Sequence, residues 1–122
     1  MDTFAELNRL TANSIHEFEI RSYDGWRLLI IGSSHLSWHH EVEILFTNVV
    51  HINCPTSFDT PTFQDTGKCP CCECRKFSIR TDQKEWEIIA GTAEVRIGIV
   101  YHYDRGENLQ PGERIADWVS RK

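Results

Sequence analysis

Long apolar runs are missing from this sequence, and its opening residues do not have the pattern of a secretion signal. The longest strongly apolar segment, Leu28 to Ile31, is far too short to cross a bilayer. Asp2 and Glu6 stand among the opening residues, where a secretion signal carries basic residues followed by an apolar stretch. The sequence therefore predicts a cytoplasmic protein that is neither secreted nor inserted into a membrane.

Positive charge is also scarce. The chain has 13 basic and 18 acidic residues, which gives a formal net charge of −5 at pH 7. This balance argues against binding to nucleic acid or to anionic lipid, since both attract basic surfaces. The deficit lies in residues 1–66, which hold three arginines against nine acidic residues. An ordinary solvated surface explains this deficit. The alternative is an acidic face that attracts a basic partner protein such as a toxin.

Recognisable catalytic motifs are absent as well. Gly32-Ser33-Ser34 does not match the Gly-x-Ser-x-Gly turn that exposes a catalytic serine. Glu41 and Glu43 share a strand face and alternate with apolar residues, which predicts a solvated outer face. No spacing identifies an acidic residue that would orient an imidazole, so the nearby histidines are interpreted as surface or strand-face residues: His35, His39 and His40. We expect a protein that is not an enzyme, with a metal- or thiol-dependent enzyme as an open alternative.

What the sequence does contain is the composition of one globular domain. Of its 122 residues, 40% are hydrophobic and 25% are charged, and no repeat or linker divides them. Thr3 and Glu6 have the spacing of a capping box. Phe4, Leu7 and Leu10 then recur at helical spacing. Residues 1–122 are thus predicted to form a single domain that begins with a helix over residues 3–12.

Most of the following sequence alternates between apolar and polar residues, as β-strands do. The alternation that begins at Ile15 runs up to Asp24-Gly25, which predicts a hairpin with a type I′ turn. Tyr23 and Trp26 flank this turn and are expected to form a cross-strand aromatic pair. Residues 26–31 are nearly all apolar, which favours a central strand covered on both faces.

Later segments complete a mainly β or α+β fold. A break at Thr47-Asn48 predicts a further hairpin, and a break at Gly91-Thr92 predicts that two later strands are separate. Residues 55–76 are expected to form an irregular Pro- and Cys-rich loop. Seven or eight strand segments favour an antiparallel sheet, as a sandwich or an open barrel. The apolar residues Ile115, Trp118 and Val119 have helical spacing, which predicts a short C-terminal helix. Large aromatics are mostly core residues in small domains, so at least two of the four tryptophans are expected in the core.

Part of residues 14–55 resembles a known type of protein. The relevant segments are Ser14-Ile15-His16, Glu19-Ile20, His40 through Val49, and Cys54-Pro55. The third of these follows the strand pattern H-x-V-E-I-x-F-x-x-V. This region is similar to small bacterial domains of unknown function, some of which are immunity proteins of contact-dependent or polymorphic toxin systems. The resemblance implies a small, acidic, cytoplasmic and non-catalytic protein-binding module.

A cysteine cluster lies outside this resemblance. Cys69-Pro70-Cys71-Cys72-Glu73-Cys74 contains two overlapping Cys-x-x-Cys pairs, which resemble the ligand turn of structural zinc sites. A second ligand pair could come from His51 and Cys54, although these two residues point to opposite faces of a regular strand. One interpretation is therefore a small zinc-binding domain whose candidate ligands are Cys69, Cys71, Cys72, Cys74 and Cys54. The other is a reduced surface loop, with Cys54 as a small buried hydrophobe.

Overall fold

The structure, a computed structural model, describes residues 4–68, 70, 73–82, 84–103, 105 and 109–119. Among these residues, one helix, α1 (Ala5–Asn13), precedes eight strands. The strands are β1 (Glu17–Tyr23), β2 (Arg27–Ser33), β3 (His39–Asn53), β4 (Ser57–Asp59), β5 (Thr62–Lys68), β6 (Arg75–Arg80), β7 (Glu85–Tyr101) and β8 (Arg114–Ile115). No helix among the described residues is long and apolar enough to cross a membrane.

All eight strands belong to one sheet, in the order β4-β1-β2-β3-β7-β6-β5, with β8 beside β7. Every pairing is antiparallel except the short parallel contact between β7 and β8. The prediction of a mainly antiparallel β fold with an N-terminal helix is therefore confirmed. The sheet curls into a half-barrel, so the open-barrel alternative describes it better than the sandwich.

Helix α1 fills the inside of the curled sheet. Phe4 and Leu7 are fully buried there, as their helical spacing predicts. The ring centroids of Phe18 on β1 and Phe63 on β5 lie 5.6 Å apart, which joins strands from opposite sides of the sheet. The Asn8 side chain accepts a hydrogen bond from the Phe63 amide and donates one to its carbonyl, at 2.9 and 2.8 Å. The helix thereby also covers part of the β5 edge.

Two strands are much longer than the sequence predicts. The expected breaks at Thr47-Asn48 and Gly91-Thr92 are wrong, because β3 and β7 pair continuously from His39–Tyr101 to Asn53–Glu87. Asn48 lies at the first expected break with a φ of 54°, next to a shift in the pairing register. Asparagine tolerates this left-handed conformation, so the strand continues through Asn48, and the bulge follows between Val49 and His51.

The predicted hairpin between β1 and β2 is present, but its turn differs from the expectation. The Asp24 amide donates to the Arg27 carbonyl, so Gly25 and Trp26 are the two central residues, and Gly25 has a φ of 90°. Glycine at the first central position is typical of a type II′ turn. The Asp24 carboxylate accepts from the Trp26 and Arg27 amides, and Tyr23 lies opposite Leu28 instead of Trp26.

Two further expectations need correction. Residues 55–76 are not one irregular loop, because β4 pairs with β1 and β5 pairs with β6, and each strand buries a phenylalanine at the half-barrel interior. The C-terminal helix is absent from residues 109–119. Arg114 and Ile115 pair with β7 as β8, and the Ala116 amide donates to the Tyr101 carbonyl at 2.9 Å. Pairing with the sheet thus replaces the helical conformation that the spacing of apolar residues predicts.

Candidate functional site

Two histidines lie in contact where β3 begins and β7 ends. His40 is fully buried, and its Nδ1 lies 2.8 Å from Nε2 of His102. The second nitrogen of His102, Nδ1, lies 2.9 Å from the carbonyl oxygen of Leu36. On the other side, Nε2 of His40 lies 2.8 Å from Oε2 of Glu43. These contacts form one chain of hydrogen bonds, which we call the histidine chain: Leu36, His102, His40 and Glu43.

The histidine chain requires an additional proton. The Leu36 carbonyl and an ionised Glu43 carboxylate can only accept hydrogen bonds. Three bonds between them need three N–H protons, whereas two neutral imidazoles carry two. The pair therefore holds one positive charge, as inferred from the acceptors at its two ends. Burial, together with repulsion from His40, lowers the pKa of His102.

Glu43 balances this charge from a buried position. Its residue is only 7% exposed, and its carboxylate also accepts a hydrogen bond from the Arg114 guanidinium. The His40 hydrogen bond and the contact with Arg114 lower the pKa of Glu43 to about 2, against the opposing effect of burial. Glu43 therefore stays ionised at neutral pH. The Arg114 contact ties the residues after β7 to the outer face of the sheet.

These positions correct one prediction and narrow another. Glu43 does not lie on a solvated face, and His40, interpreted as a surface or strand-face histidine, is a buried residue of β3. Strict alternation would place residues 40 and 43 on opposite faces of β3, yet their side chains are in contact. A register shift in the β3–β7 pairing lies between His40 and Val42, and it marks the irregularity at which the contact forms. No short-range signal in the sequence indicates this contact.

The imidazoles of the histidine chain are fully occupied by contacts within the protein. All four imidazole nitrogens of His40 and His102 are engaged by protein groups. The Trp118 ring stacks on His40 with ring centroids 5.9 Å apart. The guanidinium of Arg21, a residue of β1, lies 3.9 Å from the centroid of the Trp118 ring. A general base needs a nitrogen within hydrogen-bond reach of its substrate. Neither imidazole offers one without breaking an existing bond.

A group of aromatic side chains lies beside the histidine chain and faces solvent. We call it the aromatic surface: Trp38, His39, Tyr101, Tyr103 and Arg105. Trp38 is 58% exposed, and its ring meets Tyr103 edge-on at 6.0 Å. Tyr103 also contacts Tyr101 at 5.7 Å, and the Arg105 guanidinium lies 4.4 Å from the Tyr101 centroid. His39 lies 6.3 Å from Tyr101 on the other side.

The tryptophans are more exposed than the sequence predicts. Trp26, Trp38 and Trp118 all rank among the exposed large hydrophobic residues, and Trp86 is only partly buried against the core. The expectation that at least two tryptophans lie in the core is therefore wrong. Six phenylalanines and the branched aliphatic residues fill the half-barrel interior instead, which leaves the bulkier indoles at the surface.

The histidine chain supports the aromatic surface directly. The backbone amide of His102 donates to the carbonyl of Trp38 at 2.9 Å. The His102 ring holds the Leu36 carbonyl in the same loop, and the Leu36 amide donates to the Glu17 carboxylate at 3.0 Å. The loop that carries Trp38 is thus bonded at several points, so the exposed ring is presented in a preorganised position.

Carboxylates surround the aromatic surface. Glu41 lies 3.3 Å from Nε2 of His39, and Glu113 accepts a hydrogen bond from the Tyr101 hydroxyl at 3.1 Å. Glu17 binds the Leu36 amide on the Trp38 loop. Together with Arg105, these residues give the described rim a net charge of −2. The acidic character that the sequence predicts for the first half of the chain thus extends to this surface.

A polar cavity of about 310 Å³ lies on the outer sheet face next to Trp118. Three arginines line it, and each one is paired with a carboxylate. Arg27 lies beside Asp24, Arg96 beside Glu94, and Arg114 beside Glu43. The positive charges are therefore balanced within the protein, and the cavity has no net attraction for an anion from these groups.

Two of the five candidate zinc ligands, Cys54 and Cys74, lie among the described residues. Cys69, Cys71 and Cys72 lie outside the described residues. Cys74 is buried, with its sulfur 3.9 Å from the Asn48 carbonyl oxygen on β3. Cys54 packs against the hydrophobic core, and burial raises the pKa of its thiol. Within the described residues, no group of three or more potential ligands could hold a metal ion.

The zinc interpretation can be tested by measuring the metal content of the protein. A zinc ligand must be a thiolate, and the raised pKa of Cys54 opposes that form. If Cys69 to Cys74 hold zinc, untagged protein should contain about one equivalent per chain by elemental analysis, and Cys54→Ser should contain the same amount. Less than about a tenth of an equivalent, with reactive thiols in the native protein, would mean that the cluster is an unliganded reduced loop.

Comparisons with protein-family models, with curated proteins and with solved structures give no match for this chain.

Proposed function

We propose that this chain is a non-catalytic protein-binding module, of the toxin-immunity type, that binds a basic partner protein through its aromatic surface. One observation carries the proposal: Trp38 and Tyr101 each contact Tyr103 at the surface, while hydrogen bonds to His102 hold the loop that carries Trp38 in place. Exposed Trp, Tyr and Arg side chains dominate the binding energy of protein interfaces. A preorganised aromatic cluster loses little conformational entropy on binding.

The charge of the rim favours a basic partner. Glu17, Glu41 and Glu113 lie around the cluster against a single described cation, Arg105. Such a rim raises the rate of association with a positively charged protein and repels acidic ones. The resemblance of residues 14–55 to immunity-type domains agrees with this choice of partner, because a nuclease toxin carries basic surfaces that contact nucleic acid.

The engaged imidazoles support a binding role over catalysis. His40 is fully buried and His102 partly so, and both ring nitrogens of each already contact protein groups. Their contribution is to fix the loop that carries Trp38 and the segment that carries Trp118.

Two tryptophan variants test the proposal. Trp38→Ala should weaken binding to a basic protein encoded beside this chain's gene by at least about 30-fold, since a central interface tryptophan contributes roughly 2 kcal/mol or more. Trp26→Ala is the matched control, because Trp26 is 54% exposed in the β1–β2 turn, outside the aromatic surface. Its affinity should stay within about threefold of the wild type. The measurement is isothermal titration calorimetry with the purified pair.

The reverse ranking would remove the aromatic surface from the proposal. If Trp26→Ala weakened binding and Trp38→Ala did not, the partner would bind near the hairpin. Salt provides an independent check: the association rate should fall steeply between low and physiological ionic strength if charge attracts the partner. An association rate that is independent of salt would contradict a basic partner.

A further inference from the structure

The loop between β2 and β3, residues 34–38, is bonded to the sheet through His102. We call it the Trp38 loop. Nδ1 of His102 lies 2.9 Å from the Leu36 carbonyl oxygen, and the His102 amide donates to the Trp38 carbonyl at 2.9 Å. Other bonds join the loop to the carboxylates of Glu17 and Glu41. Because one residue makes both bonds on the β7 side, the position of His102 determines how firmly the loop is held there.

The number of protons on the histidine pair, His40 and His102, decides whether the histidine chain can be complete. With one positive charge, the pair has three N–H groups for its three contacts. A neutral pair has two N–H groups, so two acceptors face each other at one contact. A doubly charged pair has four, so two N–H groups face each other across the 2.8 Å between the rings. The chain is therefore complete in only one of the three charge states.

Both incomplete states act on His102 rather than on His40. His40 is fully buried, contacts Glu43 and is stacked against Trp118. The ionised Glu43 carboxylate can only accept, so it retains an N–H group of His40 in every state. His102 is less buried, and it is the ring that loses a contact, either with His40 or with Leu36. The Trp38 loop loses support in both cases.

The surroundings of the pair favour a single charge. The Glu43 carboxylate stabilises one positive charge. Burial and repulsion from His40 lower the pKa of His102 below its ordinary value of 6.5, against the opposing effect of the bond to Leu36. A second proton therefore binds only in more acidic solution. The charged or titratable groups described around the pair and the loop are Glu17 and Arg21 on β1, His35 in the loop, His39, Glu41 and Glu43 on β3, Arg114 on β8, and Asp117 beside Trp118.

We propose that the histidine pair is a proton-dependent switch that holds the Trp38 loop with one bound charge and releases it when the pair loses that charge or gains a second. The loop is held most firmly within a window of pH, and it loosens at more acidic and more alkaline pH while the sheet stays folded. Glu43, with a pKa of about 2, stays ionised throughout. This change belongs to the chain alone, so it does not depend on the partner proposed above.

Amide hydrogen exchange measures the release directly. The reporters are the amides of Trp38 and His102, which donate to the carbonyls of His35 and Trp38. Their protection factors, which remove the intrinsic pH dependence of exchange, should fall at least about tenfold on each side of the window, between about pH 4.5 and about pH 9. The amide of Ile44, in the centre of β3 between β2 and β7, is the control and should keep its protection.

Nitrogen NMR of the imidazoles counts the protons without any substitution. Within the window, three of the four ring nitrogens of His40 and His102 should carry a proton, because each of the three contacts needs one. All four should carry one on the acidic side, and two on the alkaline side. This measurement uses the wild-type chain, so it applies even if a histidine variant folds poorly.

A histidine variant separates the two releases. In His102→Gln the new amide can donate to Leu36 and accept from His40, but it cannot take up a proton. This variant should lose the acidic release and keep the alkaline one. His39→Gln and His35→Gln are the matched controls, because they remove the other histidines near the Trp38 loop. Both controls should retain both releases.

Several results would overturn the proposal. Protection of the Trp38 and His102 amides that stays constant across the range, or that falls on one side only, is the first. Loss of protection at Ile44 in parallel is the second, since the sheet would then unfold as a whole. An acidic release that persists in His102→Gln, or that either control variant abolishes, would place the proton-binding group elsewhere. Two ring N–H groups on the pair at neutral pH would remove the charge on which the switch depends.

Discussion

Replacing Glu43 with alanine is expected to lower the free energy of unfolding at pH 7 by about 3–5 kcal/mol. The Glu43 carboxylate accepts hydrogen bonds from both His40 and Arg114, and it is almost fully buried. Removing it leaves the charged histidine pair without its counter-ion and frees the segment after β7. Breaking a buried ion pair by removing one partner is costly because the other charge stays buried and uncompensated.

The pH dependence of this effect distinguishes charge from packing. The hydrogen bond from His40 is the main cause that lowers the Glu43 pKa from 4.5 to about 2. Since the folded-state pKa is the lower one, the carboxylate adds stability above pH 4.5 that is lost as the pH falls toward 2. This contribution is about 3 kcal/mol. Glu43→Gln keeps the shape and loses the charge, so its difference from the wild type should shrink as the pH falls through this range.

Urea unfolding followed by circular dichroism measures both effects. Glu41→Ala is the matched control: it lies two residues away on the same strand, and its carboxylate bonds to Ser34 and His39 at a more exposed position. It should cost less than about 1 kcal/mol. A cost below about 1 kcal/mol for Glu43→Ala, or an unchanged difference between wild type and Glu43→Gln at low pH, would contradict the buried charge network.

The second large effect is expected at Gly32, where even one additional carbon does not fit. Gly32 lies opposite Phe18 in the β1–β2 pairing. An added Cβ would lie 2.3 Å from Cε2 of the Phe18 ring and 2.7 Å from two further ring atoms. The ring cannot move aside easily, because Phe58 and Phe63 pack on it at 5.9 and 5.6 Å. Gly32→Ala is therefore expected to destabilise the fold by about 3 kcal/mol.

A second glycine and a double variant make this prediction specific. Gly98→Ala is the control, because its added Cβ meets only the Gly112 carbonyl oxygen, at an ordinary 3.5 Å. Phe18→Leu shortens the ring that causes the clash, so Gly32→Ala should cost at least about 1 kcal/mol less in that background than in the wild type. Equal costs in both backgrounds would show that Phe18 is not the obstacle. Urea midpoints at constant m-value give the comparison.

Local features of the chain could be predicted from the sequence because they depend on only a few neighbouring residues. The spacing of Phe4, Leu7 and Leu10 identifies α1, and Asp24-Gly25 locates the first hairpin. Alternation identifies the strands and their antiparallel sheet. The full lengths of β3 and β7 were not predictable. Asn48 and Gly91 are residues that often interrupt a strand, but pairing between β3 and β7 on both sides of them keeps both strands intact.

The candidate site depended on the tertiary structure for a different reason. Sequence alone determined that this chain is acidic, mainly β, and rich in tryptophan, since composition and period-two patterning are properties of the chain itself. Only the tertiary structure placed His102 against His40, 62 residues away, and Tyr103 against Trp38. Those contacts arise because β3 and β7 pair along their full length, which brings the start of one strand to the end of the other. Such long-range pairing leaves no mark in the residues beside either partner, whereas the helix and the turns are formed by neighbouring residues.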